Sequence, residues 1–133
     1  MTDRFVVQAS GCMFSTLEPE GWTFVFAVYV TDQDGAPVKG LTKANFAVWG
    51  IADIVPYDFG LVTEINHDIP STHLAGVYRL QTKEVLPIDG PAPQEYVFAI
   101  RVHRAEPNQQ NPKTTHGVEG ITTVPITFLG RYH

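Results

Sequence analysis

The stretch WTFVFAVYV, residues 22–30, decides the fold, because it has the composition of a buried β-strand. Aromatic and β-branched residues, which are enriched in strands, make up nearly all of it. Successive side chains of an extended chain point to opposite faces, and here both faces are apolar. A strand that is apolar on both faces lies inside a sheet and is covered at least partly on each side. Residues 22–30 are therefore predicted to form a central strand.

Further strand-like segments lie on both sides of this one, and clusters of turn residues separate them. Pro56 indicates a position near an edge, and Pro125 indicates an edge or a bulge, because proline cannot donate a hydrogen bond to a neighbouring strand. No segment has sustained apolar spacing of 3.6 residues, so no long helix is predicted. The strand-like runs are residues 4–10, 45–51, 75–82, 95–104 and 121–129, with one or two more strands in residues 54–65.

The number of strands and the frequency of turns predict the fold class. Some seven short strands with frequent turn signals are typical of an all-β protein built as a two-sheet β-sandwich. A small β-barrel is the alternative. The length of 133 residues fits one domain that spans residues 1–133.

Two connections are predicted from their polar residues. Asp32 to Gly35 has the composition of a tight turn, and Thr42 is placed to cap one helical turn that ends near Asn45. The segment AEPNQQNPKTTHGVEG, residues 105–120, is mostly polar and contains two prolines and two glycines. A segment of that length exceeds an ordinary hairpin connection, so residues 105–120 are predicted to form a long loop.

The composition excludes several classes of protein. Charged residues make up 17% of the chain and hydrophobic residues 44%, as in a folded domain. The net charge is -5 and the nine Lys and Arg residues are scattered, so there is no basic face for a nucleic-acid partner. No apolar run approaches the roughly 18 residues of a membrane helix, so no membrane partner is predicted.

The first residues and the single cysteine bear on the cellular compartment. In the start, MTDRFVVQASGCM, residues 9–12 look like the cleavage site of a bacterial lipoprotein signal. However, only residues 5–7 are continuously apolar, and Asp3 stands where an export signal carries positive charge, so a first strand is the favoured interpretation. Cys12 is the single cysteine, so no disulfide can form within the chain, which agrees with a reducing compartment. These features favour a cytoplasmic location. Cys12 itself is expected to be a small buried residue, and a nucleophile that works with a histidine is the alternative.

Three segments together resemble the bacterial immunoglobulin-like sandwich modules. They are VYVTDQDGAPVKGLTKANFAV (28–48), LAGVYRLQT (74–82) and EYVFAIRV (95–102). Such modules carry a D-x-x-G-x-P-V-x-G turn, a strand that begins with phenylalanine, a G-x-Y strand and a Y-x-F-x-I-x-V strand. The resemblance implies an immunoglobulin-like two-sheet β-sandwich with a role in adhesion, spacing or protein binding.

The first functional hypothesis is a non-enzymatic protein-interaction module. It would bind a protein partner, or a second copy as a homo-oligomer, through an exposed sheet edge or the predicted loop 105–120. An unpaired edge offers backbone donors and acceptors to an added strand, which is a common mode of peptide recognition.

A carbohydrate- or small-ligand-binding module is the second hypothesis. Exposed aromatic rings can stack on a ligand, although aromatic residues in strands more often belong to the core. Amides and an imidazole from the predicted loop would add hydrogen bonds. The candidate residues are Trp49, Tyr57, Asn108, Gln109, Gln110 and His116.

A metal-dependent hydrolase is the third hypothesis. His67, Asp68 and His73 share the segment HDIPSTH, and two imidazoles with a carboxylate can hold zinc. Their spacing matches no established motif, so solvated loop histidines are the favoured interpretation and no cofactor is predicted.

A calcium loop is suggested and then excluded near residue 32. Asp32 and Asp34 imitate the first ligands of such a loop, but the twelfth position is Lys43 where a glutamate is required. A plain turn is therefore predicted.

Overall fold

The computed structural model describes residues 4–17, 20–51, 56–57, 59–64, 75–83 and 94–128. These residues form eight β-strands and one short 3-10 turn. The strands are β1 Phe5–Leu17, β2 Glu20–Asp32, β3 Phe46–Gly50, β4 Pro56–Tyr57, β5 Phe59–Glu64, β6 Val77–Thr82, β7 Gln94–Pro107 and β8 Thr115–Phe128, and the 3-10 turn is Lys43–Asn45.

The strands form two antiparallel sheets of four strands each. The first has the order β1-β2-β6-β5 and the second the order β4-β3-β7-β8. The protein is therefore all-β, as predicted, and β2 lies inside its sheet. The alternative of a small β-barrel is wrong, because the two sheets are not closed into a barrel. In the part of the chain that the structure describes, no helix is long and apolar enough to cross a membrane.

The core lies between the inner faces of the two sheets. The Phe24 and Phe98 rings, one from each sheet, have centroids 4.6 Å apart in an edge-to-face arrangement, and Phe26 packs on Phe98 at 5.2 Å. Tyr96 extends this aromatic cluster, and burial raises the pKa of its phenol. On β7 the alternate residues Phe98, Ile100 and Val102 point into the core and are almost fully buried.

The edge strands β1 and β8 lie side by side and run in the same direction. A Cβ atom on Gly120 would clash with the Phe5 carbonyl oxygen, and one on Gly11 would lie 2.8 Å from Ile126 Cδ1. Glycine at these two positions therefore lets the first and last strands approach closely. Pro125 lies in β8 and Pro56 in β4, and both strands are edges, as the sequence predicted.

The prediction of a long loop over residues 105–120 is wrong. The ladder between β7 and β8 runs from Gln94 and Phe128 to Pro107 and Thr115, so only residues 108–114 form the connection. Residues 115–120 contain two glycines and several polar residues, so their composition did not predict a strand. They nevertheless belong to β8, and Val118 points inward and is fully buried. Pairing with β7 outweighs the weak strand propensity of these residues.

The turn after β2 agrees with its prediction. The Asp32 Oδ1 atom accepts hydrogen bonds from the N–H groups of Asp34 and Ala36, each 2.9 Å long. The carboxylate thus holds the turn, and Gly35 takes the positive φ of +88°. The predicted helical turn follows as Lys43–Asn45, and the Thr42 N–H donates to Asn45 Oδ1.

Buried Tyr78 anchors the segment that leads from β2 to this 3-10 turn. Its hydroxyl donates to the Val38 carbonyl oxygen at 2.7 Å and accepts the Leu41 N–H at 3.1 Å. Val38 and Leu41 are themselves buried. One side chain of the first sheet therefore satisfies two backbone groups that have left the ladder.

We expect Tyr78→Phe to lower the free energy of unfolding by about 1–3 kcal/mol, because it leaves two buried backbone groups without their partner. Urea titration followed by circular dichroism measures the change. Tyr29→Phe is the matched control, since Tyr29 lies half-buried on the outer face of β2 and should change stability by less than about 0.5 kcal/mol. Equal effects of the two substitutions would contradict this role of the Tyr78 hydroxyl.

Candidate binding cleft

A cleft of about 480 Å³ opens at one end of the two sheets. Four parts of the chain meet there: the start of β1, the segment after β2, the end of β7 and the connection from β7 to β8. Its volume falls within the range of small-ligand sites. The lining residues are Phe5, Asp32, Pro37, Val38, Lys39, Arg104, Glu106, Pro107, Asn108, Gln109 and Pro112.

Arg104 holds the centre of the cleft together. Its Nε and Nη2 atoms donate to Glu106 Oε1 at 2.8 and 2.7 Å, and its Nη1 donates to the Lys39 carbonyl oxygen at 2.8 Å. The guanidinium carbon also lies 6.0 Å from the centre of the Phe5 ring, a distance at which a cation is attracted to the ring face. Arg104 therefore links β7 to β1 and to the segment after β2.

Backbone hydrogen bonds fix the wall formed by Pro37 and Val38. The Val38 N–H donates to the Val30 carbonyl oxygen at 2.9 Å, and the carbonyl oxygen of Val38 accepts the Tyr78 hydroxyl. Pro37 bridges to Thr31. This side of the cleft is therefore preformed, which reduces the entropy that a ligand must offset on binding.

The connection between β7 and β8 forms the opposite wall. The Asn108 N–H donates to the Thr114 carbonyl oxygen at 3.0 Å, and Asn108 Nδ2 donates to Thr114 Oγ1 at 2.7 Å. These bonds close the loop on itself and leave exposed Gln109 and Pro112 at the rim of the cleft.

The lining of the cleft combines charged, amide and apolar groups. Asp32 and Glu106 balance Lys39 and Arg104, so the cleft has no net formal charge. Three exposed prolines form apolar parts of its surface, whereas Phe5 and Val38 lie beneath it and are themselves buried.

The structure brings two of the predicted ligand residues into the cleft and leaves two outside it. Asn108 and Gln109 line it. Gln110 is exposed in the same connection but does not line the cleft. His116 lies in β8, half-buried and opposite Glu106, rather than in a loop.

Trp49 and Tyr57 do not pair with each other in the second sheet. Trp49 lies opposite Pro56, whereas Tyr57 lies opposite Val48. The described part of the chain thus gives their backbone register, and the predicted stacking of a ligand on the two rings stays a prediction.

Cys12 is the remaining candidate nucleophile, and His67, Asp68 and His73 are the remaining candidate metal ligands. Cys12, expected to be buried, is exposed on the outer face of β1. Its position in an edge strand exposes the side that does not face the core. His67, Asp68 and His73 lie outside the described residues, so the metal-site prediction stays a prediction. Within the described residues, no group of three or more His, Cys, Asp and Glu residues is placed to hold a metal ion.

Sequence reasoning missed Phe5, Pro37 and Arg104 as parts of a site. The pairing of Arg104 with Glu106 could have been predicted, because residues two apart on a strand lie on the same face and can form an ion pair. No such signal links Phe5 to Arg104, since only the sheet topology brings these residues together.

Comparison with family models, with curated proteins and with solved structures gives no match for this chain. Its function must therefore be argued from the cleft and the surface.

Proposed function

We propose that this protein is a non-enzymatic binding module of immunoglobulin-like topology, which holds an extended segment of a protein partner in the cleft around Arg104. The observation that carries the proposal is the preformed cleft of about 480 Å³, whose lining combines exposed prolines with charged and amide side chains. Sites of this kind combine apolar surface with a few polar groups that orient the ligand.

The strand order supports the immunoglobulin-like part of the proposal. Naming the strands A, B, C, C′, D, E, F and G in chain order turns the first sheet into A-B-E-D and the second into C′-C-F-G. The constant-type immunoglobulin arrangement has A-B-E-D facing C-F-G, with C′ as an addition on the same side as in variable domains. This correspondence is one of connectivity, and by itself it implies no function.

The position of the cleft supports a binding role. The segment between β2 and β3 and the connection between β7 and β8 correspond to the B–C and F–G loops, which lie at one end of such a sandwich. In antibody variable domains these two loops belong to the antigen-binding surface. Here they form two facing walls of the cleft.

The lining indicates what the partner segment offers. Phe5, Val38 and the exposed prolines suit an apolar side chain, since they carry no free donors on their side chains. Asn108 and Gln109 can exchange hydrogen bonds with a peptide backbone. Because the charges of the cleft balance, an uncharged extended segment with a bulky apolar side chain is the partner that fits best.

Recognition by strand addition is less well supported at the edge where the two sheets meet. There β1 and β8 already lie against each other, and the Gly120 backbone contacts the Phe5 carbonyl oxygen. An added strand would have to displace one of them. The cleft requires no such rearrangement.

Selection from a phage-displayed library of random peptides on the immobilised protein tests the proposal. We expect enrichment of uncharged peptides with a large apolar residue and micromolar Kd values in calorimetry. Gln109→Trp, which fills the cleft from its rim, should weaken a selected peptide at least tenfold.

Gln110→Trp is the matched control, because Gln110 is equally exposed in the same loop but outside the cleft. It should change the Kd by less than about twofold. The proposal fails if no peptide is enriched, or if both tryptophan variants bind the selected peptide as tightly as the unchanged protein.

A further inference from the structure

The outer face of the second sheet carries a contiguous apolar surface, distinct from the cleft. Four large apolar side chains are exposed in the described part of the chain, and three of them, Ile51, Val97 and Ile121, lie here with exposures of 45%, 39% and 56%. Soluble monomers rarely cluster such residues on one face.

Backbone pairing makes these residues neighbours. The Ile51 N–H donates to the Val97 carbonyl oxygen at 2.9 Å, and Val97 lies opposite exposed Pro125. Ile121 lies opposite Arg101 on the same side of β7 and β8. Half-buried Trp49 completes this apolar face, which is defined as Trp49, Ile51, Val97, Ile121 and Pro125.

A balanced ion pair lies beside the apolar face. The Arg101 guanidinium lies 2.7 Å from Glu119 Oε2, and the two side chains are 41% and 55% exposed. The other ionisable residues at outward register positions of the described strands β3, β7 and β8 are Glu95, opposite Thr127, and His103. The chain has a net charge of -5, so the Arg101–Glu119 pair, which has no net charge, is the part of this face where two copies can meet with little repulsion.

The Arg101–Glu119 pair makes the middle of this face complementary to itself. When two copies meet across a twofold axis, Arg101 of each copy can face Glu119 of the other, and these four side chains bury no net charge. Tryptophan and arginine are also among the residue types that are enriched at protein interfaces.

The whole outer face of β3, β7 and β8 approaches the size of a dimer interface. Strands β7 and β8 have 14 residues each, so with β3 they cover a projected area of roughly 500 Å² at about 3.3 Å per residue and about 4.8 Å between strands. Side-chain relief makes the accessible area larger than the projected area. It therefore approaches the roughly 800 Å² that one partner contributes to a standard interface.

From the apolar face, its balanced ion pair and its area we infer that the outer face of β3, β7 and β8 is a symmetric homodimer interface. The cleft lies at the end of the sheets, so the dimer does not depend on the proposed peptide binding, and either can fail without the other.

Sedimentation velocity over a hundredfold range of concentration, up to roughly 100 μM, measures the association. We expect the unchanged protein to sediment with twice the 14.7 kDa mass of one chain at the upper end. Val97→Glu should raise the dimer Kd at least tenfold. Val6→Glu is the matched control, because Val6 is also 39% exposed but lies on the outer face of the first sheet.

A mixing experiment tests the charge pairing. Arg101→Glu alone and Glu119→Arg alone each place like charges together across the interface, so each variant should be monomeric. When the two variants are mixed in equal amounts, the Arg101→Glu copy supplies two acidic side chains and the Glu119→Arg copy supplies two basic ones. A heterodimer should therefore form. Circular dichroism of both variants checks that they remain folded.

Three results would overturn the inference. The first is an unchanged protein that stays monomeric at every concentration. The second is a dimer that Val6→Glu dissociates and Val97→Glu does not. The third is a protein that uses this face to bind a different protein and does not bind a second copy through it.

Discussion

Phe98→Ala is expected to lower the free energy of unfolding by about 3–5 kcal/mol, which is the range for removal of a buried phenylalanine ring. Phe98 is 1% exposed, and its ring contacts Phe24 and Phe26 from the opposite sheet. Truncation therefore removes apolar burial and also opens a cavity between the sheets. Since small domains have about 5–15 kcal/mol of stability in total, this one change removes a large fraction of it.

Equilibrium unfolding in urea, followed by fluorescence and circular dichroism, measures this effect. Val6→Ala provides the comparison, since Val6 is exposed and its truncation should change stability by less than about 0.5 kcal/mol. Phe98→Leu, which keeps much of the volume, should lie between the two. If Phe98→Ala cost less than about 1 kcal/mol, the aromatic cluster between the sheets would not be the main source of stability.

Gly76→Ala is expected to be the second most damaging change, with a loss of about 2–5 kcal/mol from left-handed backbone strain and steric overlap together. Gly76 has a φ of +80°, and an added Cβ atom would lie 2.8 Å from the Val30 carbonyl oxygen and 2.9 Å from Pro37 Cβ. The oxygen cannot easily move away, because it accepts the Val38 N–H.

Two other glycines separate the two contributions to this loss. Gly35 and Gly40 also have positive φ values, +88° and +75°, but an added Cβ atom would meet nothing within 4 Å. Gly35→Ala and Gly40→Ala should therefore cost only the strain of about 1–2 kcal/mol. Thermal and urea unfolding of all three variants measures the difference, and equal losses would show that the contact with Val30 and Pro37 is unimportant.

Much of the architecture was predictable because the local signals agree with the global fold. Residues 22–30 are apolar on both faces, and in the structure they lie in β2, a strand inside its sheet. The glycine of the G-x-Y strand, Gly76, lies where the chain approaches the Val30 carbonyl oxygen. In both places, composition and tertiary packing require the same residue types.

The end of the hairpin β7–β8 was not predictable from local propensity. Residues 115–120 contain two glycines and a charged residue, which weaken a strand signal. They are extended because fourteen residues of β7 pair with them and with the rest of β8, an effect that local composition does not contain. The same reason explains β1, which was expected to end near residue 10 and continues to Leu17 along β2.

The cleft was predictable only in fragments. Asn108 and Gln109 were selected because polar loop residues often bind ligands. Phe5 and Arg104 are 99 positions apart in the chain. They meet because the start of β1 and the end of β7 lie at the same end of the two sheets. Such a site depends on topology, so its apolar floor could not be inferred from residue spacing.

The parallel course of β1 and β8 has a mechanical consequence. Phe5 lies against Gly120, and the eight residues from there to Phe128 extend roughly 26 Å along the strand. A tensile load applied at Phe5 and Phe128 would thus act along the strand axes. Such a load would shear the hydrogen bonds of the thirteen residue pairs between β1 and β2 and of the fourteen pairs between β7 and β8. Many of these bonds would carry the load at the same time, and they would not break one after another.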